Sequence, residues 1–579
     1  MEGTELVVAV DDGAFPVLHS WVNSVGLRLG ISTLHVALRG TRATIGPLVP
    51  VRDGPCYLCW RMRALACERD FAQAMALEEE LDSRRRPGNP GGRPLPILLA
   101  KVSGALHDPR LSAGVLTLDA RNEAELCHPV LPRPDCPACS KYAAPSPGQV
   151  TDLGVVAQGA VDRLCGVVRA LEPIPKDVDE PERPYLFRSE LANAHFRTGR
   201  DAFVSCSGKG WTRAEARDSA LGEALERYAA MTWQPERRIT STYDGLDRPA
   251  LHPRQLVLYA DHQYDSLPFQ PWRPETELEW VPAQSLVTGD DVWIPLSATH
   301  LGYRSAAALF PATSNGFAAG LNRSSATLRA LLEVIERDAF LIAWSHRLPG
   351  RSVAAAEVPD EQVRAIAATH ARRGVELVVH LLPTDTVATV VLAIAWSDQA
   401  PAAVVGVAAA MEPVAAARSA VLEVGQVRPL LRSRLRLPAV RARMAELAAV
   451  PSEVATLDDH DLAYADPDAA ATGLRFLRES PQVPWPQAVA QDNGDLPSLV
   501  RSLSQVAADV LAVEVTPPDV ARLGVRVVRG LVPGFVPIWF GADQARLGGS
   551  RLLEMPARIG LRPGPARIDD LNLAPHPLA

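Results

Sequence analysis

Two groups of residues in this sequence have the types and spacing that chemistry needs. The first is a set of acids on helix-forming stretches. Ser205 to Ala230 reads SCSGKGWTRAEARDSALGEALERYAA. Its second half, dense in Ala, Leu, Glu and Arg and free of proline, predicts a helix. On that helix Ser219, Glu223 and Glu226 fall at i, i+4 and i+7, so they share one face with Arg227 at its edge. The run Ala220-Leu-Gly-Glu223-Ala-Leu-Glu226-Arg227 is echoed by Ala330-Leu-Leu-Glu333-Val-Ile-Glu336-Arg337 and, more faintly, by Ala420-Val-Leu-Glu423-Val-Gly-Gln426-Val-Arg428. In all three the acids sit among Ala, Leu, Val and Ile, as on helices that pack together. Buried carboxylates need cations, a metal or hydrogen bonds. Acidic helix faces converging with arginines and Lys209 suit Mg²⁺ and a nucleoside triphosphate. Solvated helix faces are the competing reading.

The second group is thiol. Cys56-Tyr-Leu-Cys59 and Cys136-Pro-Ala-Cys139 are two Cys-x-x-Cys knuckles. Four thiolates complete a tetrahedral structural Zn²⁺ site with no position left open for chemistry. Unrelated or redox-active thiols are the alternative. Cys67, Cys127, Cys165 and Cys206 fall outside the pattern and read as ordinary residues.

Ser207-Gly-Lys-Gly before the Asp-Ser-Ala-Leu-Gly-Glu-Ala-x-Glu-Arg helix resembles the first half of the YcaO nucleotide-binding site. Asn315-Gly-Phe-Ala-Ala-Gly320 before Glu333-Val-Ile-Glu336-Arg337-Asp338 resembles the second half. The resemblance covers roughly residues 150–579. It implies a site unlike a P-loop, in which Glu223, Glu226, Glu333 and Glu336, with Glu423, hold Mg²⁺ and ATP. Ser219, Asn315 and Gln426 join the nucleotide site, and Lys209, Arg227 and Arg337 partner phosphates or the glutamates. Lys209 is followed by Gly210, so this is no Walker A sequence. The third segment departs from the family, which carries an arginine four residues before the glutamate. Here Ser419 holds that place and Arg418 lies about 140° around the helix from Glu423. Arg428 and Arg432 are the substitutes within reach.

The elements that must position these groups fall into two domains, as the length of 579 residues suggests. Apolar content of 47% and charged content of 22% are ordinary for a globular chain, and the net charge of −8 gives no electrostatic case for nucleic acid. No apolar run reaches membrane-spanning length, and Met1-Glu2-Gly3 opens no secretory signal, so the expected location is the cytoplasm. Residues 6–10, 17–29, 34–38 and 43–45 read as strand, helix, strand and strand, a βαβ unit and its neighbour. Residues 84–94 read as a loop, 143–148 as a linker, 156–171 as a helix and 387–396 as a buried strand. Residues 280–294 read as strands about a turn at Gly289-Asp290-Asp291, and 313–322 as a glycine-rich approach to the second acidic helix.

The front of the chain resembles the C-terminal half of an E1-like (ThiF-type) domain. The matching residues are Val7-Val-Ala-Val-Asp-Asp12, Ile45-Gly-Pro-Leu-Val49 and the first knuckle, with Arg61 or Arg63 as the arginine that follows it. No glycine-rich loop precedes Leu6, so the expectation is a docking platform that does not adenylate. The predicted fold class is thus α/β and α+β: a partial E1-like α/β domain with structural zinc over 1–148, then a YcaO domain over 149–579. The tail, Pro575-His-Pro577-Leu-Ala579, resembles the Pro-x-Pro-x-Pro end of azoline-forming members, with Ala579 in the third place. Such a tail implies a stiff segment reaching the active site, with Pro575, Pro577 and Ala579 as catalytic candidates. The resemblance implies an ATP-dependent cyclodehydratase making thiazoline or oxazoline from Cys, or Ser and Thr, of a ribosomal precursor peptide. Thioamide or amidine formation, and a non-catalytic peptide-binding scaffold, are the alternatives. The expected cofactors are ATP, Mg²⁺ and Zn²⁺. The expected partners are the precursor peptide, a separate E1-like leader-binding protein and a second copy of this chain, with neither nucleic acid nor membrane.

Overall fold

The computed structural model describes residues 5–11, 17–39, 41–49, 54–83, 103–104, 107–140, 152–194, 204–232, 238–301, 303, 307–486 and 494–578. The front of the chain forms a five-stranded sheet in sequence order, β1 (Leu6–Asp11), β2 (Ser32–Arg39), β3 (Arg42–Val49), β4 (Gly114–Asp119) and β5 (Ala124–Pro129). Strands β1 and β2 run parallel and the others antiparallel, so the helix α1 (Val17–Leu29) is the crossover of the expected βαβ unit. A short helix, α2 (Tyr57–Ala66), carries the first cysteine pair.

The rest of the chain builds three more sheets. β6 (Val168–Pro173), β7 (Tyr185–Leu191) and β8 (Ser205–Gly210) pair antiparallel. A six-stranded sheet contains β9 (Ile239–Ser241), β10 (Leu278–Ser285), β11 (Asp291–Pro295), β12 (Phe317–Gly320), β17 (Leu511–Glu514) and β18 (Arg526–Leu531). Its order is β11-β10-β17-β18-β12, with β9 on β10. β13 (Arg351–Ala354), β14 (Glu376–Leu382), β15 (Thr389–Trp396) and β16 (Ala403–Ala410) form the fourth sheet. The mixed α/β and α+β class follows. Residues 280–294 form the β10–β11 hairpin, and 387–396 contain β15, apolar from Val390 to Trp396.

Three strand–helix units position the acids. β8 leads into α3 (Arg213–Met231), β12 into α4 (Arg323–Ser345) and β16 into α5 (Pro413–Arg434). In each unit the N-cap is the second residue after the strand: Thr212, Asn322 and Glu412, whose side chains accept backbone N–H bonds of the first turn. Counted from the cap, Glu223, Glu333 and Glu423 all stand eleven residues on, and Glu226, Glu336 and Gln426 fourteen. The units are therefore structural repeats, and the faint third echo in the sequence is a full one in space. Each helix buries its alanine-rich face: Ala216, Ala220 and Ala224 in α3, Ala326 and Ala330 in α4, Ala416 and Ala420 in α5. Small residues let the helix lie on the strand; a Cβ on Gly208 would stand 2.1 Å from Ala220 N.

One expected element is cut short. Residues 156–171 form no single helix: the helix Leu153–Ala160 stops, and β6 begins at Val168. The Asp162 carboxylate accepts from the backbone N–H of Leu164 and Cys165, a local turn that competes with the helix ladder, and Val167 and Val168 favour the strand. The expected loop at 84–94, the linker at 143–148 and the boundary near 148 lie outside the described residues. Among the described residues no helix is long and apolar enough to cross a membrane.

Candidate nucleotide and metal sites

Helix α3 and the β12–α4 unit enclose an open cleft of about 750 Å³, into which Ser219, Glu223, Glu226 and Glu333 face, with Arg329 at its rim. Gly222 leaves one wall flat: a Cβ there meets nothing within 4 Å. Each of the first two helices carries its own cation. Arg227 lies 3.5 Å from both Glu223 and Glu226, and Arg337 lies 3.4 Å from Glu336 and 4.0 Å from Glu333. The third helix borrows one, for Lys209 Nζ on β8 meets Glu423 Oε2 at 3.1 Å. Gln426 Nε2 donates to Ser207 O and Oγ at 2.8 and 2.7 Å, tying α5 to the same strand. The structure thus gathers acids separated by two hundred residues of sequence.

The cluster is short of positive charge. Burial pushes the Glu226 carboxyl well above its ordinary range, Glu333 and Glu223 add to the rise, and Arg227 offsets part of it. Burial likewise raises Glu333, against Arg337, Arg227 and Arg529. Glu336 is pushed up to about 8 by burial, with Glu423 and Glu333 adding and Arg337 opposing, while its Oε2 accepts from Ala409 N–H at 3.0 Å. Carboxylates that ionise with difficulty, Glu226 and Glu333 facing the cleft and Glu336 one turn further along α4, are what a divalent cation relieves. The donor set, oxygen only, fits Mg²⁺, and a bound nucleotide would supply further phosphate oxygens. Arg227 Nη1, buried and without a hydrogen-bond acceptor among the described residues, suits a phosphate oxygen.

Three expectations are redirected by geometry. Arg418 pairs with Asp360 at 2.6 Å, as its position around the helix implied. Its substitutes are also engaged: Arg428 and Arg432 both meet Glu180 at 2.5 Å, and Arg432 also meets Asp179 at 2.7 Å. Glu180 is nearly inaccessible, so these guanidiniums neutralise it rather than the cleft. Asn315 is buried, and it faces a narrow cavity next to the cleft rather than the cleft itself.

The tail is docked. Trp344 Nε1–H donates to Ala574 O at 2.8 Å, Tyr464 O–H to Pro575 O at 2.6 Å, and His460 Nδ1 meets His576 O at 2.7 Å. His576 packs edge-on against Phe340, one helical turn beyond Arg337. Pro575, Pro577 and Leu578 are buried, and Ala579 lies outside the described residues. Two prolines pre-extend the segment, and its carbonyls then find side-chain donors.

The cysteines converge as well. Cys56 Sγ stands 3.6 Å from Cys136 Sγ and 3.9 Å from Cys59 Sγ, and Cys59 Sγ stands 3.3 Å from Cys139 Sγ. All four are buried and none is in a disulfide. Sulfurs about 2.3 Å from a tetrahedral zinc are about 3.8 Å apart, so the set fits the metal. Next to it, Arg63 of α2 reaches Asp519 at 2.6 Å and Leu131 O at 2.6 Å, and Tyr228 of α3 donates to the same Asp519 at 2.6 Å. A buried ion pair thereby joins the cysteine module to the far end of the first acidic helix. Sequence reasoning missed Asp519 and also Arg529, a β18 residue near Glu226 and Glu333. Neither lies in a motif; their only signal is an isolated charge within an apolar strand or turn.

Comparison with known proteins places this geometry. The family model described as YcaO cyclodehydratase, ATP- and Mg²⁺-binding, matches residues 207–536, more than half the chain. An uncharacterized protein of Methanothermobacter thermautotrophicus is 30% identical over 359 residues, covering 61% of this chain and 86% of that relative. Among solved structures, a heterocyclase in complex with substrate and cofactor superposes with a TM-score of 0.71 at 22% identity, covering 100% of this chain and 82% of that one. The heterocyclase TruD gives 0.64 at 20% identity, with 99% and 79% covered. The shared fold therefore includes the cysteine-bearing front. The chain belongs to the YcaO cyclodehydratases, ATP- and Mg²⁺-binding enzymes.

Proposed function

We propose that this enzyme converts Cys, and by the same chemistry Ser or Thr, of a ribosomally made precursor peptide into thiazoline or oxazoline at the expense of ATP. The observation that carries the reading is the meeting of two acidic helices, α3 and α4, at one cleft beside a narrow cavity, with the third, α5, tied to strand β8 through Lys209–Glu423 and an extended tail docked on the second helix. The fold likeness to heterocyclases along the whole chain supports azoline formation over thioamide or amidine chemistry. In the reaction the side-chain sulfur bonds the preceding carbonyl carbon, and the thiol proton passes to solvent. The carbonyl oxygen takes the γ-phosphoryl group of ATP, leaving ADP. Loss of the amide proton and of phosphate then closes the C=N bond. Mg²⁺, when bound, neutralises the charge that builds on the transferring phosphoryl group. Glu223, Glu226, Glu333 and Glu336 hold it, with Glu423 kept in line by Lys209. Ser219, Arg227 and Arg337 orient the phosphates, and the tail segment 575–579 presents its end to the reacting amide.

The four cysteines hold structural zinc in a docking domain of residues 1–148. Its edge strand β1 exposes Leu6, Val8 and Val10 (37%, 40% and 50%) along one face, a surface that favours a protein partner. We assign that partner as a separate E1-like protein that binds the precursor's leader, in the cytoplasm. The test combines enzyme, ATP, Mg²⁺ and full-length precursor, with and without the partner, and follows phosphate release and peptide mass. Loss of one water per ring, dependent on the partner, is expected. Absence of peptide-dependent phosphate release overturns the reading, and exchange of oxygen for sulfur in the product moves it to thioamide formation.

A further inference from the structure

Beside the acidic cleft lies a second, narrower space that the nucleotide does not account for. It is lined by apolar side chains, among them Leu256, Phe310 and Phe535, and by four buried polar residues, Ser297, Asn315, Arg529 and Arg546, with His300 beside them. Its volume of about 50 Å³ has room for roughly four water-sized atoms, the size of one peptide group rather than of a nucleobase. Arg546 is spent on structure, donating to Val257 O at 2.6 Å and to Leu256 O, with its guanidinium 3.9 Å from the Phe310 ring. Arg529 is not. One Nη1–H donates to Thr313 O at 3.0 Å and the guanidinium stacks on Phe317 at 4.5 Å. Its Nε–H, although the residue is 93% buried, meets no acceptor among the described residues. Asn315 Oδ1, equally buried, meets no donor there. A donor and an acceptor left open in one small apolar cavity match the C=O and N–H of an amide. Phe317, on which Arg529 stacks, also lines the cleft, so the guanidinium forms the wall between the two spaces. Burial pulls Arg529 down to about 10, with Glu333 and Glu226 opposing, which places it within reach of the acids that hold the metal.

We propose that this cavity receives the peptide group that is activated, with Arg529 Nε–H donating to its carbonyl oxygen and Asn315 Oδ1 accepting from its N–H. The inference rests on the cyclodehydratase reading and adds the amide-binding residues to it. During ring closure the carbonyl electron pair moves onto oxygen as sulfur bonds carbon, and the donor beside that oxygen stabilises the charge until the γ-phosphoryl group of ATP takes it. Asn315, expected from sequence in the nucleotide site, is reassigned to the peptide.

Two measurements test the assignment. In the first, Arg529→Gln and Arg529→Lys are assayed for ATP–Mg²⁺ affinity by calorimetry and for peptide-dependent phosphate release. Release is expected to fall about 100-fold, with nucleotide affinity changed less than about threefold. Nucleotide affinity falling in step with rate makes Arg529 a nucleotide residue and overturns the assignment, as does release within threefold of wild type. Ala312→Trp, at the exposed mouth of the cavity, leaves the buried arginine in place and guards against misfolding. It should raise the peptide KM about tenfold with ATP affinity unchanged, and an unaltered KM counts against the cavity. In the second, a short cysteine peptide with photoleucine directly before the cysteine is irradiated on the wild-type enzyme with a non-hydrolysable ATP analogue and Mg²⁺. Cross-links to Leu256, Phe310 or Phe535, lost in Ala312→Trp, support the cavity whether or not the enzyme makes azolines. Cross-links elsewhere overturn it even where rings form.

Discussion

Glu336→Gln should stabilise the ligand-free protein at neutral to mildly alkaline pH and make it blind to Mg²⁺–ATP. The folded chain holds this carboxyl at about 8, chiefly through burial, and the unfolded chain ionises it near 4.5. Below about pH 4.5 both states bind the proton and the group contributes nothing to stability. As pH rises from there, the unfolded state releases the proton first, so folding is penalised progressively until the folded carboxyl also ionises, near pH 8. The gap between the two values converts to a penalty of up to about 5 kcal/mol at saturation. Glutamine removes the titration, keeps the shape and can still accept from Ala409 N–H. The thermal midpoints of the two proteins should therefore coincide near about pH 4 and separate in favour of glutamine by several degrees near about pH 8. Adding ATP and Mg²⁺ should reverse the order, because a divalent cation repays ionisation of the glutamate and has one carboxylate fewer to meet in the variant. Scanning calorimetry across this range, with and without nucleotide, is the assay. A variant less stable than wild type near pH 8 without ligand, or one that gains as much from Mg²⁺–ATP, refutes the argument.

Further outcomes follow from the same geometry. Glu226→Ala should cut ATP hydrolysis about 100-fold or more while circular dichroism stays unchanged, since the carboxylate lines a cleft rather than the apolar core. Purified protein should hold one zinc per chain, and Cys136→Ser should lose that zinc and partner binding before it loses ATP binding, as metal analysis and calorimetry would record. Deleting residues 575–579 should slow cyclisation about tenfold or more with peptide affinity nearly unchanged, read from kcat against KM. Asp519→Asn leaves Arg63 buried without its countercharge and should cost about 3–5 kcal/mol, seen as a lowered thermal midpoint of the cysteine module and α3 together.

What the sequence disclosed was periodic or clustered. The acids three residues apart on alanine-rich helices, with Ser219 one turn before them on the first, announced a shared face, and the cysteine spacing announced convergence, because both signals are local. Arg529 and Asp519 act through contacts with residues about 200 to 460 positions away, and one of two arginines in Arg526-Val-Val-Arg529-Gly530 carries no period that would mark it. Arg428 and Arg432 failed as phosphate ligands for the same reason: their partner Glu180 lies in a loop some 250 residues upstream. The helix expected over 156–171 failed on local chemistry, the Asp162 turn, which an apolar pattern alone does not reveal.

The repeat explains why the third unit departs from the other two. Fifteen residues after the cap, α3 and α4 place Arg227 and Arg337, whereas α5 places Val427. Its glutamate would stand without a cation if Lys209 of the first unit did not reach Glu423. One position earlier α5 replaces glutamate by Gln426, and the reason is hydrogen-bond polarity. Ser207 O can only accept, so the side chain facing it must donate, which an ionised carboxylate cannot do. The first unit therefore lends the third its lysine, and the third grips the first through an amide, which holds α5 against β8. Five carboxylates then face four cations, Lys209, Arg227, Arg337 and Arg529, so the protein's own charges leave a deficit. That deficit is the electrostatic case for Mg²⁺ at this position.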